Sequence, residues 1–570
     1  MAENDSGAAV AMPENQTGND VGNEAAPARK TRFKWAPLFI LGLAVLIIVI
    51  DTTLLNVSLG SIIRDLNTNI QSLQWVITAY SLTLAALTIT GGRLGDLYGR
   101  KKFFILGAII FALGSFVASI SHSVGTLLIG ESIIEGVGAA LMMPATASLL
   151  VSTYRGRDRA IALGAWGGMA AVGSAIGPIL GGYLTSHYSW RWGFRINVFV
   201  AAILIITSVV IKDARDREEK PTLDFVGVFL SAFGLLLGVF GIIEGSTYGW
   251  WKALKPFTIA GHTLSFGELS IVPVAIGLSL LLLGAFVAWE FRMMRRGKTP
   301  LVSMKLFANK QFTSGAVTTM MLSLGQIGLI FALPVFLQGV RGMDALHTGY
   351  TLIPMSIALF IAAPLSGRLS GRFSPKKITQ VGFGMEIVSL ALIAWGVSVH
   401  ATIWHLAPGL FVYGFGIGLA IAQLSNLTLS AVNVNESGEA SGVNNTLRQV
   451  GSSLGSAIIG AVLLSTLGAH LVSGINSSTV LPPESRAAIA TEVSAQASAV
   501  EFGEPIQSTQ QLTAEEHAEI KRISDEATVK AVHNSLIFMA VALMLALLIS
   551  TQLPAKPNLD RGESMANSPH

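Results

Sequence analysis

The chain is expected to be an all-α integral membrane protein with about fourteen transmembrane helices, and three observations predict it. Of its 570 residues 51% are hydrophobic and only 13% charged, about half the charge of a soluble globular chain. Apolar runs of membrane length recur from one end to the other. Basic residues gather in every second connection between those runs. This composition excludes a disordered chain and argues against a soluble enzyme. With 38 Lys and Arg against 34 acids, the net charge of +4 gives no footprint for nucleic acid. The absence of Cys excludes disulfides, zinc-thiolate sites and cysteine nucleophiles, and does not choose a compartment.

Residues 1–35 read as a disordered cytoplasmic tail, polar at first and then basic at Arg29, Lys30, Arg32 and Lys34. No short apolar core follows a basic start, so a cleaved signal peptide is not expected. A bilayer needs about 20 apolar residues per helix. Spans are expected near 36–60, 72–92, 103–121, 124–152, 160–186 and 194–212, then 223–246 and 270–290. Six more are expected near 312–338, 346–367, 378–398, 403–431, 441–467 and 531–553. The runs are continuous rather than alternating, so a β-barrel is rejected.

Loop charge supports this count. The expected inner loops carry Arg93, Arg100, Lys101 and Lys102; Arg155, Arg157 and Arg159; Lys212 to Lys220; Arg292 to Lys298; and Arg368 to Lys377. The outer loops hold scattered bases such as Arg64, Arg191 and Arg341. The weakest inner loop is 432–440, with Glu436, Glu439 and no base. The alternation predicts a multi-pass protein of the cell membrane with both termini cytoplasmic.

An internal repeat organises the spans. Gly92-Arg93-Leu94 to Lys101-Lys102 after span 2 matches Gly367-Arg368-Leu369 to Lys376-Lys377 after span 10 at the same spacing. Weak symmetry of this kind marks secondary transporters built from two halves. The offset of eight spans, where two six-helix halves give six, places two extra helices between the halves. The expected units are a first bundle at 36–212, an inserted pair at 213–311 and a second bundle at 312–553. The second bundle is expected to carry a long outer loop at 468–530, read slightly in favour of a poorly ordered insertion over an amphipathic hairpin. A tail at 554–570 follows.

The Gly92–Lys102 loop resembles the signature loop of the major facilitator superfamily. The span count resembles its drug:proton antiporter branch, the quaternary-ammonium and multidrug efflux pumps. Asp51 to Val57, including Asn56, is similar to that branch's first-helix motif. Gly173, Gly177, Pro178, Gly181 and Gly182 in span 5 are similar to the antiporter motif. Trp190 to Asn197, Leu337-Gln338 with Pro354, and Ser441 to Gly451 with Arg448 also look typical. The resemblance implies the major-facilitator fold, no enzymatic activity, and export by alternating access. It implies that the Gly92–Lys102 loop, with Asp96, Gly99, Arg100 and Lys101, braces the inner closure. The pattern departs from the branch in span 4, where Ser132 stands for the usual Arg and Glu135 for the usual Gln.

The chemistry is expected in a few intramembrane polar residues, because an ionisable group in hydrocarbon is costly and usually faces a cavity. Asp51 lies within span 1. Burial favours a protonated acid and a nearby cation favours the carboxylate, so proton and cationic substrate compete there for one charge. A helix-packing hydrogen bond is the competing reading. Glu131 and Glu135 are four apart in span 4, share a face and are expected to titrate together. Glu386 in span 11 is a further candidate. Glu244, closing span 7, reads as a solvated interfacial charge. Gly173, Gly177 and Gly181 form a flat stripe for close helix packing, with Pro178 as a kink. Trp166, Met169, Met320, Met321 and Phe331 are candidate pocket-lining groups.

No Walker A loop is present, since Arg292 stands where Gly297-Lys298-Thr299 needs its leading glycine. The proton gradient is the expected energy source, with no cofactor and no metal. The expected substrate is a small molecule, a lipophilic cation above all, and the expected state is a monomer in the bilayer. Export of an endogenous metabolite and a non-transporting membrane sensor remain open.

Overall fold

The computed structural model describes residues 34–154, 156–211, 224–259, 262–264, 266–298, 300–432, 437–495 and 513–555. Both predicted tails fall almost wholly outside these residues. The first part of the chain forms α1 (Ala36–Leu66), α2 (Ile70–Tyr98), α3 (Arg100–Ser119), α4 (Val124–Thr153), α5 (Gly156–His187) and α6 (Arg191–Thr207). Then come α7 (Phe225–Tyr248) and α8 (Ile271–Arg295). The later long helices are α9 (Lys310–Gly339), α10 (Ala345–Leu369, interrupted at Leu352), α11 (Pro375–Gly396), α12 (Ile403–Leu429), α13 (Ser437–Ser477) and α14 (Ala514–Ser550). A small antiparallel hairpin pairs Phe257–Ile259 with His262–Leu264 between α7 and α8.

The starts of these helices are written in the sequence. Asn69 caps α2 by accepting the Ser72 N–H at 2.9 Å, and Ser374 with Pro375 opens α11. Thr513 and Glu516 form a reciprocal capping box at α14. Gly99, at φ +115°, is the single residue that turns α2 into α3, a backbone state that a side chain resists.

Thirteen helices among the described residues are long and apolar enough to cross a membrane. The predicted span 160–186 falls on α5, which has 32 residues. Large apolar side chains face outward on many of the helices, among them Leu113, Phe116, Ile206 and Leu280. Trp395 and Trp404 stand exposed at one end of α11 and α12, where an interfacial aromatic belt belongs.

Two apolar cores set the architecture. One gathers the parts of α1 to α6 near the termini, including Leu41, Ile48, Phe104, Phe111 and Leu149. The other lies at the side remote from the termini, which is outer in the predicted orientation. It joins Leu55, Leu59 and Ile77 of the first half to Phe331, Phe336 and Leu463 of the second. The halves are therefore joined at the ends remote from the termini. Helix α7 packs on α2 and α13 together, through Val239, Ile243, Trp75 and Ala457.

Two expectations are corrected here. The segment read as an outer loop is helical at 468–477, at Pro483–Ala495 and from Ala514 onward. It is tied by Ser478 donating to Glu519 at 2.9 Å and by Arg522 bonding Glu519 and Glu526. Glu244 is half-buried and does more than face water. Its carboxylate accepts the Trp75 indole N–H at 2.8 Å and the Gln71 amide at 3.2 Å, which fastens α7 to α2.

Candidate functional site: a buried carboxyl cluster between α1, α4 and α6

Three acids from two helices meet inside the first half. Asp51 is 2% exposed, Glu131 1% and Glu135 0%. The α4 backbone is a π-helix over Leu128–Glu135, the stretch that carries both glutamates. Such widened turns are rare and concentrate at functional sites. On α6, Asn197 donates its Nδ2 to Asp51 Oδ1 at 2.6 Å and to Glu135 Oε1 at 3.0 Å. One amide nitrogen thus bridges the two carboxyls. Asp51 Oδ2, Glu135 Oε2 and Glu131 Oε2 are buried without a hydrogen-bond partner among the described residues, and so is the Tyr80 hydroxyl.

The arrangement dictates its chemistry. Two carboxyls around one donor, in a dry interior, do not both carry charge. They can hold one proton between them and exchange it. Ser132, in the place of the branch's Arg, donates to the Val76 carbonyl at 2.7 Å, so α4 brings no positive charge to offset these acids. Asn197 closes the Trp190 to Asn197 motif but was not among the expected site residues. The signal that points to it is a lone polar side chain on the face of α6 that also carries Phe194, Ala201 and Leu204, all of them buried.

The glycine stripe of α5 lies directly against α1 beside the cluster. A Cβ on Gly173 would press on Leu46 and Val49, one on Gly177 on Thr53, and one on Gly181 on Leu54. At the next residue α5 turns to the other half, since Gly182 meets Ala345 and Leu346, while Gly349 of α10 meets Pro178. The antiporter-type motif therefore touches both the acid-bearing helix and the partner half.

The outer closure is polar at two places. Gln338 of α9 accepts the Gly60 N–H at 2.9 Å and donates to the Val57 carbonyl at 2.7 Å. Gln74 of α2 donates to the Ser456 and Ala457 carbonyls at 2.9 Å, and Thr78 shares a 2.8 Å hydrogen bond with Ser456.

The remaining expected residues lie elsewhere. Asn56 donates to the Thr52 carbonyl one turn back at 2.8 Å. Gly92 packs against Pro144. Arg93 bonds the Pro300 carbonyl, which ties the inner end of α2 to the linker before α9. Arg100 and Lys101 start α3. The Asp96 side chain lies outside the described residues. Glu386 is fully buried between α11 and α12, packed on Gly416, and neither of its oxygens has a partner among the described residues. It does not join the Asp51 cluster. Phe331 is fully buried in the joint core and packs rather than lines a pocket. Arg448 lies in α13, with its Nε lacking a partner.

Two packed helical halves, each with acids buried inside it, fit the class of multi-pass transporters. The comparisons specify the family. Residues 41–456 match the family model of the Major Facilitator Superfamily, and the chain belongs to it. A probable actinorhodin transporter of Streptomyces coelicolor is 29% identical over 472 residues, covering 82% of this chain and 78% of that protein. The tetracenomycin C resistance and export protein of Streptomyces glaucescens is 29% identical, covering 76% and 77%. The methylenomycin A resistance protein of Bacillus subtilis is 28% identical, covering 75% and 87%. Among solved structures, an inward-facing bacterial homolog of the human lysosomal transporter Spinster shares the fold. Its TM-score is 0.56 at 15% identity, over 92% of this chain and 98% of that one.

Proposed function

We propose that this transporter exports lipophilic drug-like compounds, cations among them, in exchange for protons. The observation that carries the reading is the Asn197 bridge between Asp51 and Glu135, in a cluster with no compensating cation. A proton held there neutralises the pair. A cargo arriving from the inner side displaces it, or is released when it returns. One proton crossing 100 mV supplies about 2.3 kcal/mol, so no nucleotide and no cofactor is needed. The resistance and export functions named for the relatives support export over uptake.

The other elements take supporting roles in the same cycle. Gly173, Gly177, Gly181 and Gly182 let α5 slide against α1 and α10 without opening a leak. The loop of Gly92, Asp96, Gly99, Arg100 and Lys101 braces the inner ends of the halves. Glu386 serves as a separate protonatable group of the second half. We assign the chain to the cell membrane as a monomer, with both termini cytoplasmic, fourteen spans, bundles at 36–212 and 312–553, and an inserted pair at 213–311. Export of one endogenous metabolite is the second reading, favoured by the relative named for actinorhodin transport.

The test is efflux of ethidium and of a neutral antibiotic from intact cells, with and without an uncoupler, for the native chain, Asp51→Asn and Glu135→Gln. The proposal expects efflux that the uncoupler and both substitutions abolish. Efflux that survives the uncoupler would remove proton coupling from the account.

A further inference from the structure

The second half carries a buried positive charge that the exchange cycle does not use. Arg448 lies on α13 roughly 16 Å along the helix from Ser437, at 1.5 Å per residue. It sits inward of the Ser452–Gly460 stretch that closes on α2. Among the described residues its side chain makes no ion pair and no hydrogen bond, and its Nε is sealed from solvent with no acceptor. No ion pair among the described residues involves it. Yet the residue keeps partial accessibility, as do its neighbours Asn445 to Val450. The guanidinium is thus sealed at Nε and partly accessible elsewhere. Asn444, one turn further in on the same face, is buried with an unpaired Oδ1.

An unpaired guanidinium inside a membrane protein is costly to maintain. Its planar fork of donors suits a carboxylate or phenolate, which it can bind through two parallel hydrogen bonds. Asp51 and Glu135 of the first half bond Asn197 instead. We infer that Arg448 is a cargo-binding residue that pairs with the acidic group of an exported organic acid, so the transporter accepts acidic as well as cationic lipophilic compounds. This rests on the export reading above. It also carries an electrical consequence. Moving one anion out against one proton in transfers two charges per cycle, so acidic cargo gains more from the membrane potential than neutral cargo.

The full chain reconstituted in proteoliposomes tests this with two dyes, acidic fluorescein and cationic ethidium, under an imposed proton gradient. The native chain is expected to move both. Arg448→Gln should lower fluorescein transport by about tenfold or more, the worth of a charge-assisted pair, and leave ethidium within about twofold. Arg448→Lys should retain part of the fluorescein transport. The thermal midpoint of Arg448→Gln should be unchanged or raised, because an unpaired buried charge is removed, whereas a structural role would lower it. Native transport of ethidium without fluorescein overturns the inference and leaves the export reading standing. Equal loss of both dyes in Arg448→Gln and Arg448→Lys overturns it as well. Transport of neither dye by the native chain overturns the export reading and this inference with it.

Discussion

Asp51 on α1 and Glu135 on α4 share a single donor, the Nδ2 of Asn197, at 2.6 and 3.0 Å. The two carboxyls come from helices far apart in sequence, and the amide that joins them comes from a third. A change at any of the three positions alters the hydrogen bonding of the other two.

Asn197→Ala should therefore impair coupling more than folding. Losing the donor of a buried pair costs about 1–3 kcal/mol, which corresponds to roughly tenfold or more in transport. Measuring efflux over a range of external pH checks this. The variant should show a displaced pH profile, and a profile identical to the native one would remove Asn197 from the site.

The α5 stripe should tolerate no side chain at Gly177, where a Cβ overlaps Thr53. Gly177→Val should lower stability by about 1–3 kcal/mol, the usual cost of overpacking, and abolish export. Thermal unfolding in detergent, beside efflux, reads both effects. Gly277, which has open space around it, is the control and should accept Ala with little change.

The native chain has no cysteine, so introduced thiols report without background. Thr78 and Ser456 face each other across the halves with their hydroxyl oxygens 2.8 Å apart. Thr78→Cys with Ser456→Cys should cross-link under mild oxidation, hold the outer side shut and stop export. Reductant should restore it. Transport that continues in the fully cross-linked protein would mean that this contact does not open during the cycle.

Gln338→Leu removes both hydrogen bonds to the α1 backbone at Val57 and Gly60. It should favour opening at the outer ends. Labelling of a thiol placed at Ser58 should rise several-fold, and labelling unchanged from the native Gln338 background would count against a gating contact.

Glu386→Gln replaces a carboxyl that has no partner with an amide of the same shape. The protein should fold with an unchanged thermal midpoint, and the pH dependence of efflux should become shallower. Identical pH dependence would leave Glu386 without a part in proton movement.

Much of the fold could be read along the chain because lipid imposes a simple rule. A helix must satisfy its backbone internally and present about 20 apolar residues, so α1 to α4 and α9 to α12 begin and end near the predicted spans. In α5 the rule coexists with a second one, since its glycines also serve close helix contact with α1. The lipid rule does not cover the region beyond the membrane, where α13 and α14 extend on polar surfaces with ordinary caps. At the site, Asp51, Glu131 and Glu135 stood out as charges in apolar runs. Asn197 did not, because an uncharged amide in a helix is unremarkable until its neighbours from other helices are known. Glu244 misled for the same reason. Its position at the end of a span suggests water, and only the packing of α7 on α2 brings Trp75 and Gln71 to it.

The placement of α7 makes the two seams between the halves unequal. Along α2 and α13 the joint is covered by α7, through Val239 and Ile243. Along α5 and α10, where Pro178 meets Gly349, the flanking Ile176, Ile357 and Phe360 stand exposed. Lipid therefore lies directly against the α5–α10 joint, while α7 stands between lipid and the α2–α13 joint, so a change of bilayer composition acts on the two seams unequally.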